Sequence, residues 1–414
     1  MSRSDGVTSQ SPGSDATVPS PGAAGRESGS DEPLLEIRNT GKRFGGNRRL
    51  IGERTPEIRA VHQVDLALYP GDSLGVVGES GCGKSTLARM IMGIIPPSEG
   101  AIFFRDKDIT GLKGAERREL YKSIQFVFQD PQSSLNPRKT VRQILETPMI
   151  ELLGLDRATR EKRLYKLMDL VNMRPEFLDR HPHEFSGGQA QRIGIARALA
   201  SDPEVLILDE PVSALDVSVQ AQILKLLISL KHDLGLTYLF ISHDLAVVDY
   251  LCDRVAVMYL GQVMEEGSAD DIFRNPRHPY THVLLKSVPE PGRHEPTKFR
   301  LSGELPNPAD PPKGCPFAPR CYRAVERCHK EKPALENYAS SVPGAAASRP
   351  GADSGLAGAE AAASRAGSSL GEGSNTRAGT SHRGDSDIRS GHFAACFFAD
   401  NPVPPPETAE ENAS

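Results

Sequence analysis

Residues 78–85 read Gly78-Glu79-Ser80-Gly81-Cys82-Gly83-Lys84-Ser85 and join an apolar run, Leu74-Gly75-Val76-Val77, to a helix-like stretch from Ser85 to Met92. The spacing fits G-x-x-x-x-G-K-[ST], a phosphate-binding loop between a strand and a helix. Its glycines let backbone N–H groups surround phosphates, and the helix start adds partial positive charge. We therefore expect Lys84 to reach the β- and γ-phosphates of a nucleotide and the Ser85 hydroxyl to bind Mg²⁺.

Two carboxylates follow a second apolar run, in Leu206-Ile207-Leu208-Asp209-Glu210. Such a strand places both side chains at the carboxyl edge of a sheet, where ligands bind in open α/β folds. We expect Asp209 to hold Mg²⁺ through its water shell and Glu210 to take a proton from an attacking water. An acidic turn is the alternative for these residues alone, but the upstream phosphate loop favours the magnesium site.

A second glycine pair stands before a helical run, in Phe185-Ser186-Gly187-Gly188-Gln189 followed by Ala190 to Ala200. A serine and two glycines at a helix start form another phosphate-binding terminus. Because one nucleotide does not need two such sites, we expect this one to contact a nucleotide held by another subunit.

Two further polar side chains, Gln129 and His243, each follow an apolar, strand-like run. An amide oxygen such as that of Gln129 can bind Mg²⁺ and orient water, and His243 can form a hydrogen bond to a γ-phosphate. A capping or buried structural role is the alternative for either residue alone. Their order among the other motifs favours a shared catalytic set.

Apolar periodicity predicts an α/β fold for residues 34–289. Val205-Leu206-Ile207-Leu208 and Tyr238-Leu239-Phe240-Ile241 are apolar runs of strand length, typical of a parallel sheet covered on both faces. Between them, Ser218 to Leu234 has apolar residues at helical spacing, and Gly235 suits the helix end. This alternation of strand and helix indicates a layered α/β sheet.

The composition of the 414 residues limits the classes of function. Hydrophobic residues make up 38% and charged residues 25%, which suits a globular core with additional polar sequence. The net charge of −5 disfavours a protein body that coats nucleic acid. The sequence has no run of 18 apolar residues that would predict a membrane span. Met1 to Ser30 lacks the apolar core of a secretory signal.

Composition also divides the chain into segments. Stretches poor in apolar side chains cannot offset the entropy of ordering and are predicted to be disordered or flexible. The predicted units are a disordered tail (1–33), an α/β domain (34–289), a Pro-rich module with three cysteines (290–340), a flexible Ala/Gly/Ser insertion (341–388), a return segment with a fourth cysteine (389–400) and a second disordered tail (401–414).

The order of these motifs, with Ser213-Ala214-Leu215-Asp216, resembles the nucleotide-binding subunit of an ABC transporter over residues 34–289. Phe185 and Ala190 depart from the residues usual in the family signature. The resemblance implies a P-loop ABC-type α/β domain with a helical signature subdomain, which hydrolyses ATP with Mg²⁺. It also implies that Phe44 stacks on adenine and that Asp216 lies in the D-loop.

The resemblance implies specific roles for the motif residues. Lys84, Gln129, Glu210 and His243 would form the catalytic set, with Mg²⁺ held by Ser85, Gln129 and Asp209. The implied ATP-binding residues are Phe44, Gly78, Glu79, Ser80, Gly81, Cys82, Gly83, Lys84, Ser85, Thr86, Gln129, Asp209, Glu210 and His243. The residues implied to face the nucleotide of the opposing subunit are Ser186, Gly187, Gly188 and Gln189.

Three further stretches resemble the import ATPases for oligopeptides, dipeptides and nickel: residues 133–138, 210–218 and 275–281. This narrower resemblance implies a heterodimer with a paralogous ATPase subunit and attachment to two transmembrane permease subunits. It also implies an indirect link to an extracytoplasmic solute-binding protein. The chain is then expected at the cytoplasmic face of the cell membrane, without a nucleic acid partner.

Four cysteines near the end of the chain form a candidate metal site: Cys315, Cys321, Cys328 and Cys396. Their spacing matches neither the zinc C-x₂-C pattern nor the common ferredoxin pattern, so iron–sulfur, zinc and unligated roles stay open. Resemblance to the Cys-rich C-terminal module of peptide-import ATPases implies a [4Fe–4S] cluster, with zinc as the alternative. The insertion before Cys396 departs from the family, although a longer loop adds little closure entropy.

The resemblance implies an ATPase subunit that powers the import of dipeptides or oligopeptides through a membrane permease. An importer of nickel or another small solute is the close alternative. A soluble ABC ATPase that acts on nucleic acid or ribosomes, with a zinc-type cysteine module, is the alternative of another class. The acidic balance of the chain and the stretch 275–281 favour the importer.

Overall fold

The computed structural model describes residues 32–46, 56–287, 305–338 and 391–399. The strands are β1 Leu35–Phe44, β2 Ile58–Leu68, β3 Ser73–Val77, β4 Glu99–Phe104, β5 Lys107–Asp108, β6 Ile124–Val127, β7 Val205–Asp209, β8 Thr237–Ser242, β9 Arg254–Tyr259, β10 Gln262–Ser268, β11 Glu336–Asn337 and β12 Phe393–Ala394. The helices are α1 Lys84–Ile91, α2 Gly114–Ser123, α3 Pro131–Ser134, α4 Val141–Glu151, α5 Arg157–Leu170, α6 Gly187–Leu199, α7 Val217–Leu234, α8 Leu245–Leu251, α9 Ala269–Arg274, α10 Pro279–Lys286 and α11 Glu326–Lys330.

The larger sheet has the strand order β11-β12-β10-β9-β3-β8-β7-β6. Strands β9, β3, β8, β7 and β6 are parallel, whereas β10, β12 and β11 continue the sheet in antiparallel pairs. Side chains along β7 alternate between two buried cores: Leu206 and Leu208 face one, and Val205 and Ile207 face the other. Burial on both faces explains why these strands are continuous apolar runs.

A smaller antiparallel sheet, ordered β2-β1-β4-β5, covers one face of the larger sheet. Helix α1 shares this core, where Leu87, Ala88, Met90 and Ile91 are buried. The core therefore holds the start of α1, and with it the loop of residues 78–83, against the edge of the central strands.

A helical segment leaves the larger sheet after β6 and returns to it at β7, and it contains α3 to α6. Its helices begin at side-chain caps: Thr140 accepts from Gln143 N–H, Asp156 from Thr159 N–H, and Ser186 from Gln189 N–H. The cap at Ser186 explains one difference from the sequence prediction. Helix α6 begins at Gly187, three residues before the expected Ala190, because Ser186 and Gln189 form a reciprocal capping box.

The predicted strands at 74–77, 205–208 and 238–241 and the helices near 85–92, 158–172 and 218–234 are confirmed to within a few residues. The predicted α/β fold is confirmed, with both parallel and antiparallel pairings. Among the described helices, none is both long and apolar enough to cross a membrane. The predicted tails at 1–33 and 401–414 and the insertion at 341–388 fall outside the described residues, apart from residues 32 and 33.

Two C-terminal segments join the larger sheet, a feature that the sequence analysis did not foresee. Strand β12 pairs with β10, and β11 pairs with β12. The fully buried His392 also contacts Glu265, with 2.6 Å between Nε2 and Oε1. The same carboxylate accepts backbone N–H groups of Arg277 and His278. Glu265 therefore joins the return segment to β10 and to the start of α10.

Candidate active site

The phosphate-binding loop runs from the end of β3 to the start of α1, as the motif predicted. All three of its glycines have positive φ, of 151° at Gly78, 80° at Gly81 and 108° at Gly83. A Cβ at Gly78 would lie 2.1 Å from the carbonyl oxygen of Met258, and one at Gly83 would lie 2.2 Å from that of Ala60. The sequence therefore needs glycine at both positions for conformation and for space.

Lys84 opens α1 with its side chain turned back over the loop. Its Nζ donates to the carbonyl oxygens of Gly78 at 2.7 Å and Glu79 at 3.1 Å, and the residue is only 6% exposed. The ammonium group thus lies among backbone groups that surround the loop. In the phosphate-loop motif, the lysine at this position binds the β- and γ-phosphates of the nucleotide.

The next residue connects the loop to β7. Ser85 Oγ donates to Asp209 Oδ1 at 3.0 Å. Burial raises the pKa of Asp209, although the hydrogen bond from Ser85 opposes this shift. A hydroxyl and a desolvated carboxylate at this distance form a set of hard oxygen donors of the kind that Mg²⁺ prefers. The predicted magnesium ligands Ser85 and Asp209 are therefore brought together.

Glu210 has two polar neighbours from different strand ends. Gln129 Nε2 donates to Glu210 Oε2 at 2.9 Å, and His243 Nδ1 lies 3.1 Å from Glu210 Oε1. The backbone of Glu210 is left-handed, with φ of 48°, and its N–H donates to the Ile241 carbonyl at 2.9 Å. This conformation is unusual for a glutamate, and such residues cluster at functional sites.

These residues line one open cleft of about 530 Å³. Among the described residues, its walls are Ala60, Ser80, Gly81, Gly83, Lys84, Ser85, Thr86, Gln129, Glu210 and His243. Most of the predicted ATP-binding residues therefore meet in a single place. Phe44 lies outside this set, at the end of β1 and 42% exposed, with Lys42 Nζ 5.3 Å from its ring centre.

Cys82, also predicted in the ATP-binding loop, is 1% exposed, and burial raises the pKa of its thiol. The side chain points into the core beneath the loop, where its Sγ lies near Lys84 Nζ. It therefore fills space below the site and contributes no side chain to the cleft surface.

The signature residues lie at the N-terminus of α6, apart from the cleft. Ser186 is exposed and caps the helix, whereas Gly188 is buried against α7. A Cβ at Gly188 would lie 2.3 Å from Val219 Cγ1. Asp216 caps α7 nearby and accepts from Val219 N–H at 3.0 Å, and hydrogen bonds from Ser218 lower its pKa. Ser186 and Asp216 are both exposed.

Residues that sequence reasoning missed support the loop from its other side. Glu79 turns its carboxylate to Arg320, whose Nη1 donates to both carboxylate oxygens at 3.1 and 3.0 Å. The N–H of Glu79 donates to Tyr280 Oη at 3.1 Å. Glu79 and Arg320 are 241 residues apart, so no local pattern joins them. Arg320 does stand between two of the cysteines singled out from the sequence, which was the one available signal.

The four predicted metal-ligating cysteines lie in the described C-terminal segments. Burial, with a contribution from the neighbouring thiols, raises the pKa of Cys315 to about 11 and that of Cys321 to about 12. Cys315 N–H donates to the Cys328 carbonyl at 2.8 Å, and Cys396 is among the groups that contribute to the raised pKa of Cys315 and Cys321, so the four residues are neighbours. Across the described ranges, however, no group of three or more His, Cys, Asp or Glu side chains is arranged to hold a metal ion. The structure therefore gives the predicted cluster no formed metal site.

Comparison with protein families agrees with this geometry. Residues 61–213 match the ABC transporter family, and residues 264–328 match the oligopeptide/dipeptide transporter C-terminal region. The first match contains the phosphate loop, the signature and both carboxylates, whereas the second contains Tyr280 and Arg320. The residues that support the loop from behind therefore lie in a family-specific region.

Several curated proteins are similar over most of their lengths. The oligopeptide transport ATP-binding protein AppF of Bacillus subtilis is 46% identical over 75% of this chain and 96% of its own length. The dipeptide transport ATP-binding protein DppF of Haemophilus influenzae is 46% identical over 74% of this chain and 94% of its own. The oligopeptide transport ATP-binding protein OppF of Salmonella typhimurium is 49% identical over 73% of this chain and 92% of its own length.

Solved structures share the fold of the ATPase domain. The cbiO1 protein of Clostridium perfringens, part of the ABC transporter complex cbiONQ, superimposes with a TM-score of 0.52 at 29% identity, over 59% of this chain and 92% of its own. The ATP-binding cassette MJ0796, solved as a dimer bound to ADP and Pi, superimposes with a TM-score of 0.51 at 28% identity, over 57% of this chain and 99% of its own. The chain is an ABC ATPase and belongs to the family of oligopeptide and dipeptide transport ATP-binding proteins.

Proposed function

We propose that this chain hydrolyses ATP to energise the import of dipeptides or oligopeptides through an ABC membrane permease. One observation carries the proposal: Glu210 is held between Gln129 and His243 in the cleft that contains Lys84. The similarity to peptide transport ATP-binding proteins over three quarters of the chain gives this ATPase its transport role.

The proposed chemistry follows from the positions of the side chains. Glu210 accepts a proton from the attacking water, while Gln129 and His243 orient the carboxylate and the γ-phosphate. Lys84 balances charge on the β- and γ-phosphates. Ser85, Asp209 and Gln129 would hold Mg²⁺, which supplies further charge stabilisation when bound.

A complete site is proposed to require two subunits. Ser186 and Asp216 are exposed caps of α6 and α7 that do not line their own cleft, and a helix N-terminus there suits the phosphates of a facing nucleotide. We propose a head-to-tail heterodimer with a paralogous ATPase, attached to two permease subunits at the cytoplasmic face of the membrane. Binding ATP would favour the closed dimer and thereby one permease conformation. Residues 34–289 would form the ATPase domain, with residues 290–340 and 389–400 as a C-terminal module.

The test compares uptake of a labelled dipeptide, a labelled longer peptide and Ni²⁺ in cells that carry the native chain or Lys84→Ala. We expect loss of peptide uptake with the variant, because the phosphates lose their cation. Loss of one peptide signal alone sets the size class of the solute. Loss of Ni²⁺ uptake alone supports the nickel importer instead. Unchanged uptake of all three solutes contradicts a transport role for this site.

We propose separately that the four C-terminal cysteines bind a metal centre. An iron–sulfur cluster is the preferred assignment, and zinc is the alternative. Two observations support this. Besides burial, the other three thiols contribute to the raised pKa of Cys321, and backbone N–H groups of Arg323 and Phe398 donate to Cys321 Sγ and Cys396 Sγ at 3.4 Å each. Such N–H donors stabilise the thiolate form that metals bind. Since metal binding and local ordering are coupled, loading would draw the thiols into place.

The metal proposal is tested on the full chain purified without oxygen, by measuring iron, zinc and acid-labile sulfide. About four iron atoms per chain support a cluster, and about one zinc supports the alternative. Cys321→Ser is expected to reduce the metal content strongly. Cys252→Ser, which changes a cysteine packed beside Gly75 in the core, is the control and is expected to keep the metal. Absence of both metals from the native chain contradicts the proposal.

A further inference from the structure

The acidic residue of the phosphate-binding loop is held by the C-terminal part of the chain. Glu79 accepts at its carbonyl from Lys84 Nζ and from Cys82 N–H, and its own N–H donates to Tyr280 Oη. Its carboxylate is paired with Arg320. Each polar group of Glu79 thus has a partner, and two of these partners lie more than 200 residues further along the chain.

Arg320 is a buried charge at this contact, with a side chain only 6% exposed. Its Nη1 also donates to Tyr259 Oη at 3.2 Å. Burial alone would lower the pKa of Arg320. The hydrogen bonds to Glu79 and Tyr259 outweigh this effect, so the pKa of Arg320 is raised. The guanidinium is therefore a permanent positive charge placed against the rear of the phosphate-binding loop.

An aromatic cluster fixes the segment that carries Arg320. Phe317 is fully buried, and its ring centre lies 5.4 Å from that of Tyr259 and 5.2 Å from that of Tyr280. A 3₁₀ turn at Ala318–Arg320 follows directly. Because Phe317 and Arg320 are three residues apart in one tight turn, packing of the ring sets the position of the guanidinium.

An unpaired carboxylate at Glu79 would disfavour ATP. Its side chain is 20% exposed, and neighbouring loop residues line the cleft for the triphosphate. Like charges within a few ångströms repel strongly where water is partly excluded. We propose that Arg320 is a positioning residue for ATP binding, which neutralises Glu79 and fixes the phosphate loop from the C-terminal module. This inference concerns nucleotide binding alone and does not depend on which solute is transported.

The test measures binding of the non-hydrolysable analogue AMP-PNP and of ADP to the purified full chain by calorimetry. Arg320→Met removes the charge and keeps most of the volume. We expect AMP-PNP affinity to fall about tenfold, the order of magnitude for losing a partly buried charge partner. ADP carries less negative charge, so its affinity is expected to fall less. In a Glu79→Gln background, Arg320→Met is expected to have little effect, because no carboxylate is left to neutralise.

Two controls separate this role from a merely structural one. Arg320→Lys keeps the charge and is expected to retain most of the affinity. Lys330→Ala breaks an exposed ion pair with Glu326 in the same module and is expected to change nothing. If Arg320→Met does not fold, Arg320→Gln gives the same comparison. An AMP-PNP affinity within twofold of native, an equal loss for ADP, or a loss that persists in the Glu79→Gln background would overturn the inference.

Discussion

Glu210 is the residue on which the proposed chemistry depends. Its left-handed backbone turns the carboxylate toward both Gln129 and His243, although the residue directly follows a regular strand. A glutamine has the same shape and hydrogen-bonding length but cannot take a proton from water. We expect Glu210→Gln to bind ATP while hydrolysis falls about 10²-fold or more, the usual size for loss of a general base.

This prediction is checked by ATP turnover and ATP binding on the same preparation. Glu119→Gln makes the same chemical change on the surface of α2, where the carboxylate pairs with Lys122, and is expected to retain full turnover. Turnover retained by Glu210→Gln would contradict the role given to this residue.

At the scale of elements, the contact between α6 and α7 places the signature residues. Gly188 is buried against Val219, whose stiff side chain leaves no room for a methyl group. We expect Gly188→Ala to lower the free energy of unfolding by about 1–2 kcal/mol through overpacking. Val219→Ala in the same chain removes the clashing methyls and is expected to restore much of the loss. Chemical denaturation of both variants measures the effect, and equal destabilisation with and without Val219→Ala contradicts it.

Helix α10 carries Tyr280 to the phosphate loop, and its N-cap predicts a pH dependence. His278 is fully buried, and its Nδ1 accepts from Tyr280 N–H at 3.0 Å. Burial lowers the pKa of His278 to about 4 from its ordinary value of 6.5. The unfolded chain therefore binds the proton first as pH falls. This group contributes stability that is complete above pH 6.5 and is lost toward pH 4, about 2 kcal/mol between pH 8 and pH 5.

Asparagine also caps helices but does not titrate, so His278→Asn is expected to remove this part of the pH slope. Denaturant unfolding at pH 8 and pH 5 measures it, with His232→Asn as the exposed control that keeps the native slope. If the free energy of unfolding changes equally between pH 8 and pH 5 in the native chain and in His278→Asn, the capping histidine does not titrate as described.

For the whole molecule, the sequence predicted the phosphate loop, the central strands and the meeting of Ser85 with Asp209. These features rest on short-range patterns: a fixed motif spacing and apolar runs that end at one sheet edge. Strands β11 and β12 were not foreseen, since each is only two residues long and is set by pairing, β12 with β10 and β11 with β12. Pairing between distant residues leaves no local signature.

The contact of Arg320 with Glu79 shows the same limit at the candidate site. Sequence reasoning assigned Glu79 to ATP, whereas its carboxylate faces the C-terminal module. The cysteines were identified by count and spacing, but spacing does not fix thiol geometry, and the described residues contain no formed metal site. Tertiary packing, here the aromatic cluster around Phe317, decides where Arg320 lies.

The central claim is that ATP hydrolysis at Glu210 drives peptide import. The most direct measurement is ATP turnover by membrane vesicles containing the complete transporter, with and without peptide and its binding protein. We predict that peptide raises turnover when this chain is native and that Glu210→Gln removes the increase. Turnover that does not respond to peptide, or an increase that survives Glu210→Gln, would contradict the claim.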